Sequence, residues 1–130
     1  MAAGKQLVVP NCVVAGAEPP RTYDLNSWQE TKESREVLAI LGPDDVTFEG
    51  YNERPTFRKH IGSLAGQGDL VDLDGIGGSA ILVRGDLHRR GLNFPSFAVE
   101  HALETEGMAK MAKKMGVQPY GMPNIAVQHK

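Results

Sequence analysis

Two glutamates at the start of a predicted helix are the residues of this chain best suited to chemistry. Glu104 and Glu106 stand where an aromatic-rich loop, beginning at Phe94, turns into an amphipathic helix ending near Gly116. One interpretation gives these glutamates no chemical role, because the helix dipole stabilises carboxylates in the first turn of a helix. The alternative is that the helix directs a carboxylate at a bound polar ligand. The apolar face is formed by Met108, Met111, Ala112 and Met115.

A second polar segment lies near the start of another predicted helix. Ser27 and Glu30 have the spacing of a capping box, which predicts a helix from about Ser27 to Gly42. One interpretation is a helix cap beside a core tryptophan. The other is a sugar-contacting surface, since an indole face with amide and carboxylate neighbours suits a polyol. The residues concerned are Asp24, Asn26, Trp28 and Gln29.

A glycine-rich turn follows Asp74 and precedes a predicted buried strand over residues 79–84. Gly75, Gly77 and Gly78 permit close approach of a backbone, either by a neighbouring strand or by a ligand. The turn is not a dinucleotide fingerprint, because it lacks the required glycine spacing and leads into a strand. The nearby aspartates also lack the spacing of a calcium loop.

The histidines offer no metal site by spacing alone. His101 and Glu104 form a single pair three residues apart, which is weak. His129 ends the last predicted strand and, taken alone, is an ordinary exposed histidine.

Composition predicts a single soluble α/β domain over residues 1–130. Hydrophobic residues make up 41% and charged residues 23%, and the net charge of −2 gives no electrostatic support for nucleic-acid binding. No apolar run is long enough to span a bilayer. Cys12 is predicted to be a buried thiol.

The remaining elements are short. A buried strand over residues 7–14 is interrupted or ended by Pro10. Further strands are predicted over residues 46–51, 117–120 and 125–128, with a helical turn over 86–91. The polar stretch 52–60 is predicted to be a solvated face and residues 62–68 a mobile loop.

Several motifs in order resemble those of the fungal Golgi mannan-polymerase mannosyltransferases, glycosyltransferase family 62. The resemblance covers about residues 5–129. Its motifs are Tyr23-Asp24-Leu25-Asn26-Ser27-Trp28-Gln29-Glu30, Glu49-Gly50-Tyr51, Leu73-Asp74-Gly75-Ile76-Gly77-Gly78, Arg89-Arg90-Gly91-Leu92-Asn93-Phe94-Pro95, the run from Glu104 to Lys113, and Gly121-Met122-Pro123-Asn124.

This resemblance implies a GT-A fold and a retaining transfer of mannose from GDP-mannose to an α-mannoside, with manganese on the nucleotide phosphates. It assigns His129 to the metal, which reverses the interpretation given above. It places Asp74 near the transferred mannose and the three glycines of the turn against the donor sugar. It places Glu104 and Glu106 beneath the acceptor, flanked by Asp24 and Trp28, and makes Asn26 and Gln29 substrate-binding residues.

The chain departs from the family pattern in one respect. Family members begin with a membrane anchor and a nucleotide-binding half that carries the metal-binding Asp-x-Asp. Here Asp72-Leu73-Asp74 belongs to the later glycine motif, so the chain resembles the C-terminal, acceptor-side portion of a GT-A domain in the Golgi lumen. An exposed strand edge is expected where the other half would pair.

Three hypotheses follow. The first is a mannosyltransferase portion that lacks the donor-binding half. The alternative is a non-catalytic mannan-binding or assembly subunit of a glycosyltransferase complex. Both imply other mannan-polymerase subunits as partners, and an unrelated small α/β protein is the third reading.

Overall fold

The structure is a computed structural model that describes residues 4–47, 49–50 and 54–130. The described residues form both strands and helices. In order they are β1 (Leu7–Val14), β2 (Trp28–Gln29), α1 (Lys32–Ala39), β3 (Lys59–His60), a 3₁₀ helix (Ile61–Gln67), β4 (Val71–Asp72), β5 (Leu82–Val83), α2 (Gly85–Arg89), α3 (Glu104–Lys114) and β6 (Tyr120–His129).

A mixed four-stranded sheet in the order β4-β6-β1-β5 forms the centre of the described chain. β1 and β6 are parallel, whereas β5 and β4 pair antiparallel with them. β2 and β3 form a separate antiparallel pair. The predicted mixed α/β architecture is confirmed.

Pro10 does not end the first strand. The register between β1 and β6 shifts there, because Pro10 lies opposite Met122 while Asn11 lies opposite Ala126. A proline cannot donate to the ladder, so an irregularity at this point lets β1 continue. The two predicted C-terminal strands are accordingly one strand, β6. Cys12 is buried, as predicted.

The first helix begins later than predicted. Thr31 caps α1: its hydroxyl accepts the N–H of Ser34, and the Ser34 hydroxyl accepts the N–H of Thr31. Ser27 is therefore not the cap, and Trp28 instead pairs with His60 in a strand. A second capping box four residues on, together with tertiary strand pairing, overrides the first signal.

α3 matches the prediction closely. Met108, Ala109 and Ala112 are buried in the main apolar cluster, and Gly116 at φ +79° follows the helix end. A left-handed residue after the last turn is what terminates a helix in this way. Across the described residues, no helix combines the length and apolar character needed to cross a membrane.

Three other predictions differ from the structure. Residues 62–68 lie largely within the 3₁₀ helix, which buries Ile61 and Leu64. The predicted buried strand at 79–84 is only the two-residue β5, and Leu82 is half exposed. In the predicted strand over 46–51, Thr47 forms an isolated bridge, while Phe48 and Tyr51 lie outside the described residues. The helical turn is confirmed as α2.

Candidate functional site

The segments 24–29 and 74–79 are tied together by backbone hydrogen bonds. The N–H of Trp28 donates to the carbonyl of Gly75 over 3.2 Å. The hydroxyl of Ser27 accepts the N–H of Gly77 over 2.8 Å. These bonds fix the glycine turn directly against the polar segment that carries Asp24.

Asp24 is held by both segments. One of its carboxylate oxygens accepts the N–H of Asn26 and the other accepts the N–H of Ser79, each over 3.1 Å. Backbone donors orient the carboxylate without neutralising its charge. Asp24 is thus a fixed anionic group at the edge of the glycine turn.

The glycines of the turn are required by the protein's own side chains. A Cβ atom would overlap a neighbouring side chain at each position: the Trp28 indole at Gly75, the Asp24 carboxylate at Gly77 and the Thr105 methyl group at Gly78. Packing therefore accounts for these glycines, and their contact with a donor sugar stays a prediction.

An open cleft of about 610 Å³ lies beside this turn. Three carboxylate residues line it, whereas none of the described lining residues is a lysine or arginine. The cleft is therefore anionic. Its lining is Tyr23, Asp24, Leu25, Asn26, Glu49, Gly50, Gly78, Ser79, Glu104 and Thr105.

The two glutamates of α3 have different environments. Glu104 is exposed and lines the cleft, whereas Glu106 is 2% exposed. Two residues along a helix is a rotation of about 200°, so their side chains point to opposite sides. The structure brings only Glu104 of this pair to the cleft.

Glu106 belongs to a buried ionic cluster centred on Arg58. The Arg58 guanidinium lies 3.2 Å from Glu30, 3.0 Å from Glu49 and 3.7 Å from Glu106. It also stacks over the Trp28 ring at 3.7 Å. Arg58 is only 7% exposed, so the prediction of a solvated face over residues 52–60 is wrong for this residue.

Burial raises the pKa of Glu106 to about 8, because the neighbouring Arg58 does not compensate for lost hydration and Glu49 adds repulsion. The Trp28 indole favours the charged form of Glu106 and so opposes this rise in pKa, although the two side chains do not form a hydrogen bond. Glu106 Oε2 and Trp28 Nε1 both lie buried without a hydrogen-bond partner in the described part of the chain. Glu106 is accordingly a largely neutral acid at neutral pH.

Asp74 borders a second cavity, of about 600 Å³, with Lys110 and Lys113. It pairs with Lys113 and accepts the N–H of Glu30 over 2.7 Å. Burial alone raises the pKa of Asp74, but the hydrogen bonds from Lys113 and Glu30 outweigh it and hold the pKa below its ordinary value. Asp74 does not line the cleft that contains Glu104.

The Gln29 side chain forms hydrogen bonds that connect elements of the fold. Its side-chain amide donates to the carbonyl of Asp72 over 2.8 Å and to the Gln67 side chain over 3.1 Å. These bonds connect β2 to β4 and to the 3₁₀ helix, away from the lining of the cleft.

His129 stacks on Tyr23, with ring centroids 3.7 Å apart and an interplanar angle of 11°. Tyr23 lines the cleft, whereas His129 is not among its lining residues. Within residues 4–47, 49–50 and 54–130, no group of three His, Cys, Asp or Glu side chains could hold a metal ion. The described residues therefore do not make a complete manganese site around His129.

Four predicted site residues meet in the cleft: Asp24, Asn26, Gly78 and Glu104. Sequence reasoning missed Tyr23, Ser79 and Thr105 as cleft residues, although each adjoins a residue that it selected. Arg58 gave no signal, because a buried arginine and a solvated one look alike in a polar stretch.

The family model Anp1 matches residues 1–98. The chain belongs to the Anp1 family. It is 41% identical over 138 aligned positions to the Mannan polymerase I complex VAN1 subunit of Saccharomyces cerevisiae, covering 99% of this chain. It is 44% identical over 113 positions (84% of this chain) to the Mannan polymerase complex subunit MNN9 of Candida albicans. It is 42% identical over 134 positions (96% of this chain) to the Mannan polymerase II complex anp1 subunit of Schizosaccharomyces pombe.

Each of these relatives is considerably longer than the part of it that aligns with this chain. The chain spans 25% of the VAN1 subunit and 31% of each of the other two.

Proposed function

We propose that this chain is part of a subunit of a mannan polymerase complex and that its cleft binds an α-mannoside of the mannan chain. The subunit role is supported by membership of the Anp1 family and by relatives that are subunits of mannan polymerase complexes. The observation that carries the binding role is the exposed Glu104 carboxylate in an open polar cleft beside Asp24.

The cleft has the groups that a sugar ring requires. Carboxylates and side-chain amides such as Asp24, Glu104 and Asn26 accept or donate hydrogen bonds to hydroxyl groups. Tyr23 is 48% exposed and has one face covered by His129, which leaves the rest of the ring for the apolar face of a sugar. Few, well-placed polar groups beside an aromatic surface are typical of small-molecule sites.

The charge of the cleft favours a neutral saccharide over a nucleotide. Asp24 and Glu104 line one cavity without a lysine or arginine among its described lining residues, and their field disfavours a diphosphate, whereas the charge of Glu49 is balanced by Arg58. This supports an acceptor mannoside rather than GDP-mannose as the ligand of these residues.

Titration with α-1,6-linked mannobiose tests the proposal. We expect saturable binding by calorimetry or NMR, and a loss of affinity of about tenfold or more in Glu104→Gln. Glu33→Gln is a matched control, because Glu33 is also an exposed glutamate in a first helical turn but belongs to α1. No saturable binding, or equal affinities of the two variants, contradicts the proposal.

A second candidate function is catalysis, in which this chain supplies the acceptor side of a retaining, GT-A, family 62 mannosyltransferase of the Golgi lumen that uses GDP-mannose. Asp24 and Glu104 favour it, since two carboxylates that face one open cleft can both reach a bound substrate. Manganese would neutralise the leaving diphosphate, and His129 is the residue of this chain proposed to bind it. The other ligands would come from outside the described residues.

The second candidate is tested with a protein that contains this chain at the length of its relatives. We expect manganese-dependent mannosyl transfer from GDP-mannose that is lost in Glu104→Gln and kept in Glu33→Gln. Mannoside binding without transfer leaves the binding role as the function.

A further inference from the structure

The buried ionic cluster around Arg58 contains more acids than bases. Arg58 pairs with three carboxylates, and the Lys110 ammonium lies 3.7 Å from one of them. Within the described residues, three acids therefore share two cations, and each of these side chains is at most 12% exposed. A net charge is costly where water cannot solvate it, so the cluster is expected to carry one additional proton. The three acids are Glu30, Glu49 and Glu106.

Glu106 is the member of the cluster best placed to hold that proton. Glu30 and Glu49 each accept several hydrogen bonds as carboxylates, from donors that include Arg58. Glu106 Oε2 is buried without a hydrogen-bond partner in the described part of the chain. His60 lies 2.8 Å from Glu49 and could supply a third cation, but its side chain is 33% exposed and water can solvate either of its forms. The raised pKa of Glu106 agrees with this assignment.

The Arg58 nitrogen nearest to Glu106 has both of its hydrogens in use. Nη1 donates to Glu49 over 3.0 Å and to the Thr47 hydroxyl over 3.3 Å. Glu106 Oε2 lies 3.7 Å from the same nitrogen, which is beyond hydrogen-bond distance. An ionised Glu106 therefore gains a hydrogen bond from Nη1 only if Thr47 or Glu49 loses one.

Both of these partners belong to the short stretch that forms part of the cleft wall. Thr47 and Glu49 precede Gly50, and Glu49 and Gly50 line the cleft. Loss of either bond from Arg58 thus releases one of the ties that hold this stretch. Glu49 keeps its contacts with Thr56 and His60, so the stretch is expected to shift rather than to unfold.

We propose that the proton on Glu106 acts as a switch for the cleft wall. While Glu106 is neutral, Arg58 holds Thr47 and Glu49 in place. When Glu106 ionises, it attracts Arg58 Nη1 and one of these two bonds breaks, because hydrogen bonds between charged groups are the stronger ones. Among the charged groups that face Glu106, Arg58 and Lys110 favour its ionisation and Glu49 opposes it.

Trp28 is the competing partner for an ionised Glu106. Its indole N–H is also buried without a hydrogen-bond partner in the described residues. The backbone of Trp28 pairs with His60 and Gly75, and its ring lies against the Arg58 guanidinium, so the indole is fixed in place. A neutral indole is also a weaker donor to a carboxylate than a guanidinium. We therefore expect Arg58 to respond to the charge.

An NMR titration of the chain without ligand, from neutral to alkaline pH, tests the switch. The indole N–H of Trp28, the single tryptophan, reports on Glu106, and the Cα signal of Gly50 reports on the cleft wall. We expect both signals to shift with one shared midpoint, near the raised pKa of Glu106 of about 8. Because no ligand is needed, this proposal and the mannoside proposal fail separately.

Two variants assign the transition to a residue. Glu106→Gln is expected to abolish both shifts, since a glutamine cannot ionise. His60→Gln keeps a hydrogen-bond donor for Glu49 and is expected to retain both shifts.

Three results would overturn the proposal. A transition at Trp28 without one at Gly50 shows that Glu106 ionises and leaves the cleft wall unmoved. A transition that persists in Glu106→Gln, or that disappears in His60→Gln, assigns the proton to another group. A wild type without any transition at Gly50 shows that the wall does not respond to pH in this range.

Discussion

The guanidinium carbon of Arg58 lies 3.7 Å from the centroid of the Trp28 ring. The same guanidinium forms ion pairs with Glu30 and Glu49. Glu30 precedes α1, and Glu49 lines the cleft. Arg58 therefore connects the segment that carries Trp28 with the wall of the cleft. Its planar group is suited to both stacking and multiple ion pairs, which a lysine cannot reproduce.

Replacement of Arg58 by leucine is expected to lower the free energy of unfolding by about 3–5 kcal/mol, because buried carboxylates lose their counter-charge. Arg58→Lys is expected to recover only part of this, since it loses the stack on Trp28. Urea denaturation measures both variants. Lys59→Leu, at an exposed neighbouring position, is the control and is expected to have little effect. Equal losses at the two positions would contradict a central role for Arg58.

The raised pKa of Glu106 predicts a specific pH dependence of stability. Its carboxyl binds a proton more tightly in the folded state, so unfolding releases a proton between its ordinary pKa and a pH of about 8. The free energy of unfolding therefore falls as pH rises through that range. Glu106→Gln removes this decline, and at alkaline pH we expect its free energy of unfolding to exceed that of the wild type by on the order of 5 kcal/mol.

Denaturation of both proteins between acidic and alkaline pH measures the difference. The two free energies are expected to converge as the pH falls toward the ordinary range of a carboxyl group. Glu104→Gln, two residues earlier and exposed, is the control and is expected to keep the wild-type profile. Parallel curves for wild type and Glu106→Gln at all pH values would show that Glu106 has no raised pKa.

A methyl group at Gly78 is expected to disturb the wall of the cleft. Its Cβ would lie 2.7 Å from the Thr105 methyl group, so Gly78→Ala is expected to lose about 1–3 kcal/mol of stability through overpacking. Thr105→Ser removes that methyl group, and the double variant is expected to regain most of the loss. Gly66→Ala, which meets nothing within 4 Å, is the control. Additive losses in the double variant would contradict this contact.

Local signals predicted the elements whose packing agrees with them. The spacing of Met108 and Ala112 and the position of Gly116 were enough to define α3, because the apolar face and the terminating residue both agree with the tertiary structure. The first strand was recognised from its β-branched residues, although not its continuation through Pro10. The continuation of β1 through Pro10 depends on a register shift against β6, a strand more than a hundred residues away.

The site was only partly predictable, because the placement of its residues also depends on contacts between segments that are distant in the sequence. The positions of Glu104 and Glu106 in one helical turn indicate opposite directions, but only tertiary packing decides which one faces solvent. Ser27 and Thr31 each begin a possible capping box, and the hydrogen bond from Gly77 to Ser27 commits Ser27 to the glycine turn. Burial of Arg58 depends on three carboxylates from separate segments, which no local pattern contains.

Asp74 is expected to contribute stability that disappears in acid. A carboxyl whose pKa is lowered on folding stabilises the protein above its ordinary pKa, and that contribution is lost as the pH falls through the folded-state value. Asp74→Asn is therefore expected to be about 1–3 kcal/mol less stable at neutral pH and to approach the wild type in strong acid. Asp72→Asn, at an exposed position, is the control. A constant difference at every pH would contradict the ion pair with Lys113.

The stack of His129 on Tyr23 separates two roles for the histidine. Suppose that His129 only supports Tyr23. His129→Phe then preserves the aromatic stack and is expected to bind mannobiose with wild-type affinity. His129→Ala and Tyr23→Leu, which lose the stack, are expected to bind mannobiose more weakly. If His129 also binds manganese, His129→Phe in a protein of the relatives' length is expected to lose metal-dependent transfer while it keeps mannoside binding. Calorimetry with mannobiose measures the first effect and a GDP-mannose transfer assay the second. Wild-type mannoside affinity in His129→Ala would show that the stack does not position Tyr23 for the sugar.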